Sequence, residues 1–155
     1  MNGAGHLTEI EQQLLMAAAV HRLGPTTDLG RANTARVVNQ VLRWRGLTAE
    51  QVNAGWRDED CDPEHDAVYA ALVRMTHQAC RDGNFRPSER PGPALFEGGG
   101  NWGVPGDPDY PACWPHFNSC RLTAEGERLA RWLLEQHPEY RSSAEFGAER
   151  DRGGM

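Results

Sequence analysis

The stretch "DPEHDAVYAALVRMTHQACR", residues 62–81, decides what kind of domain this chain forms. Asp62 can cap a helix, and Pro63 suits a first helical position because the N–H it lacks would have had no intrahelical partner. At 100° per residue the stretch divides cleanly. Val68, Tyr69, Leu72, Val73, Met75, Thr76, Ala79 and Cys80 fall on one side, and Asp66, Ala67, Ala70, Arg74, His77, Gln78 and Arg81 on the other. The first side reads as core and the second as solvent, in one helix running to about Arg81.

Working outward, three Leu-Thr pairs announce further helix starts, at Thr8, Thr48 and Thr123. Thr8 with Glu11 and Thr48 with Gln51 fit a capping box, and Leu47 with Val52 adds a hydrophobic staple. Thr123 has Gly126 where the box partner would stand. The expected helices are therefore about 9–23, ending at Gly24-Pro25; 34–45, burying Val37, Val38, Val41 and Leu42 and ending at Gly46; 49–56; 62–81; and 124–136, burying Leu129, Leu133 and Leu134. Seven of the ten prolines lie between Pro87 and Pro115, so regular structure there is limited to short strands joined by long turns. Residues 138–155 read as a polar, frayed tail.

The whole chain narrows the classes. At 155 residues, one domain with a proper core is the expectation for 1–137. The net charge of −6 gives no general attraction for nucleic acid or an anionic membrane. Every basic residue is Arg, which a GC-rich coding bias explains without invoking phosphate recognition. The longest apolar run, Leu14 to Val20, is too short to span a bilayer and lies too far behind "EIEQQ" for a signal peptide, so the cytoplasm is the expected location and no membrane partner is expected. Four Cys without secretory signals read as thiols or ligands rather than as a disulfide framework.

In order, "ARVVNQVLRWRGLTAEQVNAGW", "HDAVYAALVRM" and "CRLTAEGERLARWLL" resemble a winged-helix DNA-binding domain of the PadR-like or MarR-like kind, over about residues 34–136. The most specific pieces are "VYAALVRM", at the place of a recognition helix, and "RLTAEGERLA", at the turn from the last wing strand into the following helix. The resemblance implies a mainly α fold with a small β-hairpin: an N-terminal extra helix with its linker (9–33), a helical core (34–81), a long wing (86–121) and a C-terminal helix (123–137). It implies that 50–56 is the supporting helix and 64–81 the recognition helix. It further implies a transcriptional regulator that binds duplex DNA, dimerising through its terminal helices. Helix-turn-helix domains read bases mostly through the N-terminal residues of the second helix. The DNA contacts expected here are Arg74, Gln78 and Arg81, with Arg36 and Arg43 on the flanking helix.

The charges argue against part of that picture. "DEDCDPEHD", 58–66, puts six acids and no base where a recognition helix would meet phosphate. The basic segment is 22–45, with five Arg against Asp28 alone, on helices that cross the backbone rather than read bases. The expected wing carries Glu97, Asp107 and Asp109 where wings of this type carry Arg or Lys. Its Trp102, Tyr110 and Trp114 suggest a protein-binding loop, so the rival reading is a winged-helix derivative that binds a protein and no DNA.

Other chemistry is thinner. A zinc joining His77 and Cys80 to Cys113, His116 and Cys120 would staple the wing to the helical core, but there is no Cys-x2-Cys pair and Cys80 falls on the core side; no metal or cofactor is expected. Asp58, Asp60 and Asp62 start like a calcium loop, yet Pro63 and Tyr69 occupy the positions that need Gly and Glu. "GGGNWG" matches a dinucleotide pattern in letters only, since Pro105 and Asp107-Pro108 follow instead of a helix. No nucleophile–base set or paired carboxylates are evident, so no enzyme is expected.

Overall fold

The computed structural model describes residues 7–57, 63–79, 85–99 and 119–141. They form five helices and a small sheet: α1 (Glu9–Val20), α2 (Thr34–Trp44), α3 (Ala49–Arg57), α4 (Pro63–Met75), β1 (Thr76–Ala79), β2 (Phe85–Arg86), β3 (Phe96–Gly99), β4 (Ser119–Leu122) and α5 (Ala124–Gln136).

The caps behave as their chemistry requires. Thr8 Oγ1 accepts from Glu11 N at 3.1 Å while Thr8 N donates to Glu11 Oε1 at 2.9 Å. Thr48 and Gln51 repeat the exchange at 3.1 and 2.8 Å. Gly46, at φ 101°, closes α2, with Leu47 N reaching back to Leu42 O at 3.1 Å. α1 stops earlier than Gly24-Pro25 suggested. Arg22 adopts φ 62°, Leu23 N donates to Ala18 O at 2.9 Å, and the chain leaves the helix there.

α1 is the inner helix. Gln13 to Ala18 are all buried, as expected of "LLMAAA", which is apolar on every side. It packs against α5, α2 and α4. The terminal helices expected to pair between copies thus pack on each other within one chain, and α1 has its apolar side chains committed there. Val37, Val38, Val41 and Leu42 of α2, Val68, Leu72 and Met75 of α4, and Leu129 and Leu133 of α5 complete the core.

The largest correction falls on 62–81. Helix α4 ends at Met75, and Thr76–Ala79 is a strand. Its last carbonyls take tertiary donors instead of the next helical amides: Arg74 O accepts from Glu89 N at 2.8 Å and Met75 O from Leu95 N at 3.3 Å. Thr76 Oγ1 donates back to Leu72 O at 2.6 Å. Those bonds terminate a helix whose side-chain periodicity alone would have let it continue. The sheet order is β2-β1-β3-β4, with β1 parallel to β3 and the other pairs antiparallel. The single hairpin expected is therefore the β3–β4 pair within a four-stranded sheet.

The outer edge of β4 is covered by the loop that joins α1 to α2. Leu122 N donates to Leu23 O at 2.8 Å, Cys120 N to Asn33 Oδ1 at 2.7 Å, and Ser119 Oγ to Arg31 O at 2.7 Å. A strand edge that would otherwise offer unpaired amides is closed. Asn33, placed to cap α2, makes no cap bond and stitches β4 instead.

Gly126 explains why the third capping box is missing. A Cβ there would stand 2.0 Å from the Leu95 carbonyl oxygen. Gly→Ala within a helix ordinarily stabilises. Here Gly126→Ala is expected to destabilise by about 1–3 kcal/mol through forced backbone displacement, read as a lower midpoint in urea; an unchanged or raised midpoint contradicts the close approach.

Candidate nucleic-acid interface

The residues expected to touch DNA do not share one helix face. Arg74 is exposed near the end of α4. Gln78 sits in β1, 1% exposed, paired in register with Gly98 of β3. Side chains alternate across a strand, so Gln78 shares the inner face of the sheet with Thr76, Phe96 and Leu122. It turns inward because the chain changes its period from 3.6 to 2 at Met75. Arg81 lies outside the described residues, as do Cys80 and the loop residues Trp102, Tyr110, Cys113, Trp114 and His116.

Arg36 and Arg43 lie two turns apart on the solvent side of α2, with Asn39 between them and Ala35 beside them. No acid occurs from residue 29 to residue 49. The outward face of α4 differs: exposed Asp66, Ala67 and Ala70 lead to Arg74.

Part of the acidic stretch has a structural use. Arg45 donates through Nε to Glu64 at the start of α4, and through Nη1 to Glu9 Oε1 and Gln13 Oε1 of α1, each at 3.0 Å. Burial works against the charge on Arg45, but the carboxylates of Glu64 and Glu9 outweigh it and hold the guanidinium above its ordinary pKa. One Arg of the basic segment and one acid of the acidic segment therefore tie α1, α2 and α4 together. Sequence reading placed both in charge runs and missed the pairing, which no local spacing announces.

Beyond Gln13, Tyr140 accepts from Gln13 Nε2 at 3.2 Å and sets its ring 4.5 Å from that of Trp44. Of the tail expected to fray from 138, residues 138–141 form a turn against the body, and 142–155 lie outside the described residues. A tyrosine in a polar segment was the available signal. Such a ring pair contributes about 0.5–1.5 kcal/mol, and a neutral hydrogen bond about as much.

Of the five residues weighed for a zinc, only His77 and Cys120 lie among those described; Cys80, Cys113 and His116 lie outside them. Gln78, Gly98 and Cys120 lie opposite one another across β1, β3 and β4, and His77, Glu97 and Arg121 form the neighbouring row. His77 and Cys120 thus point to opposite faces of the sheet. Among the described residues no three His, Cys, Asp or Glu gather as a metal would need. In the second row Arg121 Nε donates to Glu97 Oε1 at 2.9 Å and Nη1 to Thr27 O at 3.0 Å. No helix among the described residues is long and apolar enough to cross a membrane.

Comparison with family models, curated proteins and solved structures finds no match.

Burial pushes the Cys120 thiol up to about 12. The folded protein thus holds this proton where the unfolded chain, near 9.0, releases it. Stability from this group is present below pH 9.0 and is lost as pH rises toward about 12. Cys120→Ala is expected to flatten that alkaline decline in urea unfolding. In the native protein at pH 8, maleimide should leave Cys120 unlabelled in peptide mapping; labelling at the rate of an exposed thiol contradicts its burial.

Proposed function

We propose that this chain is a winged-helix-derived module that binds a protein partner and does not read duplex DNA. The order of elements supports the winged-helix part: α2, α3 and α4 are followed by a sheet whose β3–β4 pair leads directly into α5. The parallel pairing of β1 with β3 departs from a simple two-stranded wing.

One observation carries the choice between partners. The exposed face of α4 presents Asp66, Ala67, Ala70 and Arg74, acid first, and the residues expected to continue that face, His77 and Gln78, lie instead in strand β1, with Gln78 buried. A groove-reading helix gains affinity from phosphate neutralisation and from donors near its N-terminus. This helix has a carboxylate at the N-terminal end and one Arg near the other. The chain's charge of −6 adds a long-range repulsion. The small side chains of Ala67 and Ala70 leave room for another surface to approach. For a homodimer, the surface on offer is the outer side of α5 around Trp132, the exposed large apolar residue among those described.

The basic stripe of Arg36 and Arg43 is the best remaining ground for DNA, and it defines the test. Fluorescence polarisation of mixed-sequence duplexes at low salt should give no affinity tighter than about 100 µM, the weak end of non-specific binding. Micromolar or tighter binding that weakens steeply with salt and is lost in an Arg36→Ala, Arg43→Ala, Arg74→Ala triple variant returns the protein to the DNA-binding class.

A further inference from the structure

We draw no further inference here: the strongest candidate, the outer side of α5 around Trp132, exposes one large apolar side chain among the charged Arg128, Arg131 and Glu135, and nothing in the structure shows what covers it.

Discussion

The backbone of Leu95 joins the helical part of the protein to the sheet and to the last helix. Its amide donates to Met75 O, at the end of α4, and its carbonyl accepts from Thr123 N, at the start of α5, at 3.1 Å. Thr123 adds a hydroxyl bond to Ala94 O at 2.7 Å and caps α5 through Gly126 N at 3.1 Å. This junction exists only because residue 126 has no side chain. From it follow the end of α4, the start of β1, the parallel placement of β1 beside β3, and the direction in which α5 returns to cover α1. A helix continuing past Met75 would need the Met75 carbonyl for Ala79, and Leu95 would lose its partner.

A second constraint acts at the far end of α1. Arg45 gathers Glu9, Gln13 and Glu64, so three helices meet on one guanidinium whose fork geometry suits several acceptors at once. That gives Glu64 a place in the fold, and it lowers the number of basic side chains available for any anionic partner. Asp66 remains exposed on the same turn of α4. The electrostatic character of this surface is thus a consequence of how the helices are fastened, and it bears directly on which macromolecule the protein binds.

Much of this was legible in the amino-acid order, for identifiable reasons. Helix starts are written locally, as Thr8–Glu11 and Thr48–Gln51 show, because a cap and its partner lie within four residues. The buried set of α2 follows from a single period. The end of α4 was not legible, because Thr76 and Ala79 fit a helical core stripe as well as Thr76 and Gln78 fit the inner face of a strand; the choice was made by Glu89 and Leu95, more than ten residues away. The same holds for the candidate site. Arg36 and Arg43 lie on α2, the flanking helix to which they were assigned, whereas Gln78 turned inward when the period changed from 3.6 to 2. The Arg45 clamp and the Tyr140–Trp44 contact join residues far apart in sequence, and no short-range pattern encodes them.

The direct measurement is the backbone nuclear Overhauser pattern of residues 72–81 in the labelled protein. Cross-strand contacts of Thr76, His77 and Gln78 with Phe96, Glu97 and Gly98, with helical contacts ceasing at Met75, are the result that the helix-to-strand change requires. Continuous helical contacts from Leu72 through Arg81 would contradict it, and would bring Gln78 back to the outward face beside Arg74.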